Sequence, residues 1–206
     1  MSIRERLFAD VYDRLGARWE ERYGADIRRE LLADARGRVL EIGVGTGLSF
    51  PHYPAVDELV GVEPSSAMLR RARQRATAAG RDVKLVEASA EELPFEGESF
   101  DTVVAITVLC TVDDPERALS EVRRVLRPDG AFLFSEHVRS PDPKLARWQN
   151  RLERPWRLVA GGCHPNRDTL AAIEAADFEA TELEQGELTG VPRLVRPYVR
   201  GRASPQ

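Results

Sequence analysis

Apolar residues recur every four positions at the start of the chain, at Leu7, Val11, Leu15 and Trp19, with charges between them. That spacing predicts helix over residues 3–36, its second half carried by Ile27, Leu31 and Leu32. From Val39 the pattern shortens and alternates. Apolar runs at 39–42, 59–62, 83–86, 102–108 and 131–135 predict five strands, and helical faces lie between them. Ser65 is placed to cap a helix through Met68, Leu69, Ala72 and Ala76, with Gly80 just past its end. Asp114-Pro115 pairs a capping acid with a proline in the first turn, ahead of Ala118, Leu119, Val122 and Val125 on one face. Strands and helices alternating at this rhythm predict a parallel sheet with crossover helices, the α/β class.

The last third changes character. Residues 144–159 read as a helix interrupted at Pro155, and 168–176 as another. Residues 179–187 and 194–202 read as two strands, and their short connection suits antiparallel pairing. Pro197 inside the second of these predicts an edge or bulged position for it.

Composition narrows the class of protein. At 206 residues the chain suits one domain with a full core. Thirty basic against 34 acidic side chains give a net charge of −4, which disfavours nucleic acid and anionic membrane surfaces as partners. No apolar run is long enough to cross a membrane, and the charged start Met1-Ser2-Ile3-Arg4-Glu5-Arg6 predicts neither signal peptide nor anchor. Two cysteines make no disulfide framework, so a reduced, cytoplasmic setting is expected. The chain has no C-x-x-C or H-x₃-H spacing, so no metal site is expected either.

The chemistry concentrates at Glu41-Ile42-Gly43-Val44-Gly45-Thr46-Gly47, where the first strand turns toward a helix. Glycines there let backbone approach a ligand, beside the free N–H groups of a helix start. A dinucleotide loop would place its third glycine at 48, but Leu48 stands there and the spacing is G-x-G-x-G. Glu41, inside the strand, would repel a pyrophosphate and attract a cation. Glu63 ends the second strand, where a carboxylate can accept both hydrogen bonds of a ribose diol.

These residues resemble the class I S-adenosylmethionine (SAM) methyltransferases. The resemblance also rests on Gly61-Val62-Glu63-Pro64-Ser65, Glu92-Leu93-Pro94-Phe95, Phe100-Asp101-Thr102-Val103-Val104 and Glu121-Val122-Arg123-Arg124-Val125-Leu126-Arg127-Pro128-Asp129-Gly130. It implies a Rossmann-like sandwich with a seven-stranded, mostly parallel sheet, an antiparallel C-terminal strand and N-terminal helices. Residues 1–206 then form one domain, with a helical cap at 1–35, a SAM-binding core at 36–137 and substrate-side elements at 138–206. By resemblance, Gly43, Gly45, Thr46 and Gly47 hold the methionine part of SAM, with Glu41 near its amino group. Glu63, Pro64 and Ser65 take the ribose side and Met68 the adenine. Ser89, Ala90 and Glu91 fall where family members contact the adenine, with Ser89 in place of a frequent aspartate. Thr107 and Leu109 border the sulfonium. A narrower likeness, to small-molecule thiol methyltransferases, rests on Val108-Leu109-Cys110-Thr111-Val112, Phe134-Ser135-Glu136-His137-Val138 and Gly161-Gly162-Cys163-His164-Pro165-Asn166-Arg167-Asp168-Thr169.

Methyl transfer from SAM, which leaves S-adenosylhomocysteine as product, needs an aligned nucleophile and a dry site. A thiol must ionise first, so a nearby histidine or arginine matters. His137, ending the fifth strand, is the first catalytic candidate, and Cys110, after the fourth, is the second. Both residue types also serve as ordinary buried structural groups. His164 and Arg167 lie in a glycine-rich loop suited to a lid over the acceptor. His52 is expected near the cofactor entrance. Tyr12, Trp19 and Tyr23 either close over the ligands or simply pack their helix. The expected acceptor is a small molecule: a thiol first, then an oxygen of a quinone or phenolic metabolite, then an amine such as a phospholipid headgroup. The other readings are a SAM-binding module without turnover and, against the loop spacing, NAD-dependent hydride transfer.

Overall fold

The computed structural model describes residues 19–206. The expected helix over 3–18 and the role weighed for Tyr12 lie outside the described residues. A π-helical turn, Glu20–Gly24, runs into helix α1, Ala25–Leu32. Strands β1 (Arg38–Ile42), β2 (Glu58–Val62), β3 (Lys84–Val86) and β4 (Phe100–Ile106) follow. Helix α2, Ser66–Ala78, joins β2 to β3. Helix α3, Pro115–Val125, leads from β4 into β5, Leu126–His137. The remainder comprises α4 (Pro143–Val159), α5 (Thr169–Ala175), β6 (Phe178–Glu187) and β7 (Pro197–Pro205).

The seven strands form one sheet in the order β3-β2-β1-β4-β5-β7-β6. Strands β1 to β5 pair in parallel, while β7 runs antiparallel to both β5 and β6. The direction of winding reverses between β1 and β4, and ligands of open α/β sheets bind outside the strand ends at such a point.

Both faces of the sheet are covered, which is why its central strands read as nearly continuous apolar runs. Leu40, Ile42, Val103, Phe132 and Phe134 pack on one side with Leu119, Val122 and Val125 of α3 and Ile173 of α5. Val39, Leu59, Val104 and Leu133 face the other way, against Leu31 and Leu32 of α1 and Leu69, Ala72 and Ala76 of α2. Each such side chain contributes about 1.5–3 kcal/mol of burial. Helix starts carry the expected caps: Ser65 Oγ accepts from Met68 N, and Asp114 accepts from Arg117 N at 3.0 Å. The segment before β4 is latched by Glu121, which accepts from Leu93 N at 2.8 Å and from Arg124 Nε at 2.6 Å.

Three expectations need correction. The glycine loop after β1 does not start an α-helix but leads into a single 3-10 turn, Phe50–His52. Strand β7 is not at an edge but lies between β5 and β6. Pro197 is its first residue, so the missing N–H leaves the ladder beyond it intact. The edge strand on this side is β6, which carries Glu179, Glu182, Glu184 and Glu187 and a register shift between Thr181 and Glu184, both features that discourage pairing with a further strand. Helix α4 runs through Pro155 without ending there. Pro155 and Arg151 are both exposed, so water can serve the carbonyl that the proline leaves without a donor.

Candidate functional site: a cleft at the strand ends

The loop after β1 holds Gly43, Gly45 and Gly47 at φ of 60°, 54° and 79°, a region where a Cβ is strained. The three differ in what surrounds them. A Cβ on Gly43 would lie 2.7 Å from Val108 Cγ2, and one on Gly47 would lie 2.5 Å from Phe50 Cε2. A Cβ on Gly45 would meet nothing within 4 Å. Gly43 and Gly47 are therefore packing glycines, whereas Gly45 faces open space.

That space is a cleft of about 460 Å³, within the range of small-molecule sites. Gly43 and Gly45 form its floor, Glu63, Pro64, Ser65 and Met68 one side, and Ser89, Ala90 and Glu91 the next. Thr107, Val108, Thr111, Val112 and Asp113, after β4, line the far side with Ala160 and Gly161. Glu63 Oε2 accepts from Gly45 N at 3.1 Å and Oε1 from Ser65 N at 2.9 Å, so the carboxylate ties the two loops together. Burial pushes its pKa up, against the pull of those two N–H groups. The lining holds three acids, Glu63, Glu91 and Asp113, and no lysine or arginine. Such a wall suits a ligand with a diol and positive charge and opposes a pyrophosphate. The donor set, the open face of Gly45 and the volume fit SAM. A wider surface cleft of about 620 Å³ between α3 and α5, lined by Arg123, Arg124 and Asp177, has neither glycine loop nor strand end.

Several expected cofactor residues sit elsewhere. Glu41 is 3% exposed, does not line the cleft, and accepts from Tyr53 Oη at 3.0 Å. Its strand face points into the core, and burial raises its pKa. Thr46 is buried too, its Oγ1 accepting from Arg75 Nη1 at 2.9 Å, and Gly47 packs on Phe50. Ser89 Oγ donates to Glu91 Oε2 at 2.6 Å, which lowers the Glu91 pKa, while Glu91 Oε1 accepts from Asp114 N. Thr107 lines the cleft at φ 56°, a strained backbone for a β-branched residue. Leu109 is buried behind it.

Behind the far wall, three loops converge. Cys110 follows β4, His137 ends β5, and Cys163 follows α4; all three are buried. His137 Nε2 lies 3.0 Å from Cys163 Sγ, and Trp156 Nε1 donates to the same sulfur at 3.2 Å. The Cys110 thiol, His137 and Trp156 together hold the Cys163 pKa well below the usual thiol value, and the same pairing with burial pushes Cys110 well above it. His137 and Cys110 thus touch Cys163 but do not line the cleft. His164 and Arg167 are pinned: His164 Nδ1 sits 2.9 Å from Glu153 Oε1, and Arg167 Nη1 donates to Leu109 O at 2.6 Å. They brace the far wall and do not hang free as a lid.

Glu136 was not among the sequence candidates. It is fully buried, and its Oε1 accepts from Val108 N at 2.7 Å and Leu109 N at 3.0 Å. Its signal was an acid following the apolar run Ala131–Phe134 of β5. Trp156 and Asp113 carried no such signal. Trp19 and Tyr23 pack on the turn at Gly190, with Trp19 Nε1 donating to Thr189 O at 2.7 Å. His52 pairs with Glu20 at 3.0 Å and also lies off the cleft.

Comparison with known proteins agrees with this geometry. A family model described as a methyltransferase domain matches residues 40–134. Thiol S-methyltransferase TMT1B from Rattus norvegicus is 34% identical over 170 residues, covering 80% of this chain and 69% of that protein. Phosphatidylethanolamine N-methyltransferase from Cereibacter sphaeroides is 40% identical over 125 residues, 56% of this chain and 62% of that protein. A solved SAM-dependent methyltransferase from Thermotoga maritima superposes with a TM-score of 0.70 at 24% identity, over 98% of this chain and 100% of that one, which establishes the shared fold. The chain belongs to the class I SAM-dependent methyltransferases, and SAM is its methyl donor.

Proposed function

We propose that the protein methylates the sulfur of a small thiol. SAM lies along the cleft with its ribose on Glu63, its adenine between Met68 and Ser89–Glu91, and its amino-acid end over Gly45. The middle of the chain serves the donor, and the elements around residues 138–170 shape the acceptor's place. When bound, SAM supplies a methyl group made electrophilic by the sulfonium. The chain's residues then align an acceptor on the far side, near Thr107 and Thr111, and exclude water.

The observation that carries the thiol reading is the convergence of donors on Cys163 Sγ. Cys110, His137 and Trp156 make the corner behind the far wall one that stabilises a sulfur anion. These buried groups do not line the cleft, so they act on an acceptor thiol through the wall, by the polarity of the corner behind it, and not by direct hydrogen bonds. His137 and Cys110 serve here as positioning residues. The likeness to thiol S-methyltransferases supports the same acceptor, whereas the N-methyltransferase likeness covers less of both chains.

A methyl-transfer screen with labelled SAM tests it. Small alkyl and aryl thiols should be methylated with kcat/KM at least about 100-fold above matched phenols, quinols and amines. Turnover of a phenol or an amine with thiols inert would overturn the thiol reading and leave the methyltransferase assignment standing.

A further inference from the structure

We propose that Cys110, His137 and Cys163 form a zinc-binding site behind the acceptor end of the cleft. The side-chain donor atoms of these three residues all lie within 4.8 Å of one another. Among the described residues no other three cysteine, histidine or acidic side chains come together in this way. Two sulfurs and one imidazole nitrogen are a donor set that favours zinc and disfavours magnesium or calcium. With bonds of about 2.3 Å to sulfur and about 2.0 Å to nitrogen, a tetrahedral ion sets S···S near ~3.8 Å and S···N near ~3.6 Å. His137 Nε2 and Cys163 Sγ stand 3.0 Å apart, so they need separate by only about 0.6 Å to admit the ion.

Parts of the surroundings are in place, while His137 Nδ1 is buried with no hydrogen-bond partner. His164 N donates to Cys110 O at 2.8 Å, and Arg167 Nη1 donates to Leu109 O at 2.6 Å, fastening the two cysteine loops together. Trp156 Nε1–H donates to Cys163 Sγ, the kind of second contact that orients a metal-bound thiolate. Glu136, next to His137, is buried with Oε2 unpartnered, and a cation nearby compensates that charge. On binding, each sulfur gives up its thiol proton to solvent, and neutral His137 contributes the Nε2 lone pair. Three protein donors leave a fourth position for water or another ligand. Thr111, next to Cys110, and Gly161, two residues before Cys163, line the cleft, so the site lies behind its wall. The site does not depend on which acceptor the enzyme uses.

The donors sit too far apart in sequence to form a recognisable metal spacing. Only the meeting of two strand ends with the loop after α4 brings them together.

The test is a titration of the reduced, metal-free full chain with zinc against a chromophoric chelator. The expected result is one zinc per chain, bound at least about 100-fold more weakly in Cys110→Ser, Cys163→Ser and His137→Asn. S-adenosylhomocysteine binding checks that each variant is folded. Independently of any variant, zinc at 100 times its Kd should raise the wild-type melting temperature by about 5–10 °C. Cobalt should give a thiolate-to-metal charge-transfer band. The proposal is overturned if the wild-type chain takes up no zinc, or if uptake is unchanged when both cysteines are replaced by serine.

Discussion

Gly45→Arg abolishes S-adenosylhomocysteine binding and lowers the melting temperature by only about 2–4 °C. Position 45 has open space where a Cβ would go, so the arginine side chain enters the cleft and displaces the ligand without disturbing the core. It also brings positive charge into an acidic lining meant for a cationic ligand. The stability loss comes from the left-handed backbone at φ 54°, about 1 kcal/mol for a residue with a Cβ. Gly43→Ala should behave differently. Its Cβ would lie 2.7 Å from Val108 Cγ2, so overpacking adds to the backbone strain and the melting temperature falls by roughly 5–15 °C. Calorimetric ligand titration with a thermal melt on each variant separates the two. Equal loss of stability in both would show that the loop is only a structural turn.

Glu136→Ala should be strongly destabilising, on the scale of Gly43→Ala. The carboxylate satisfies the N–H groups of Val108 and Leu109, both buried, and alanine leaves them without an acceptor. Each orphaned donor costs about 1–3 kcal/mol, which corresponds to a drop of roughly 5–15 °C in melting temperature. The loop these bonds fix carries Thr107, Val108 and Thr111 of the cleft wall, so methyl transfer should fall further than stability alone explains. Glu136→Gln keeps one carbonyl oxygen where Oε1 stands and should restore most of both. Thermal melts and turnover on the two variants check this. A fully active alanine variant would mean that the loop holds its shape by other means.

The parts of this molecule legible in its sequence are those fixed by local spacing. The Gly43–Gly47 loop and Glu63 follow strands whose apolar runs are unmistakable, so the place of the cleft, with Gly43, Gly45 and Glu63 on its lining, was legible from spacing. Glu41 shows the limit of that reading. It belongs to the same motif, yet strand alternation turns it toward Tyr53 and away from the cleft. Pro197 misled because a proline reads locally as an edge, whereas its place at the first position of β7 makes it harmless in an interior strand. The far wall was least legible. Cys110 and His137 each looked like a candidate or a bland core residue, and Cys163 was not among the candidates. Their relation exists only once β4, β5 and the loop after α4 meet, and no spacing encodes that. Glu136 had a visible signal, an acid just after an apolar run, but its partners are backbone groups of another element.

The placement of the donor along the cleft is tested most directly by a bound complex. A crystal structure with S-adenosylhomocysteine should place the ribose hydroxyls on Glu63, the homocysteine end over Gly45, and the sulfur toward the loop of Thr107 and Thr111. A ligand bound in the surface cleft between α3 and α5, or bound at the strand ends without touching Glu63, would contradict it.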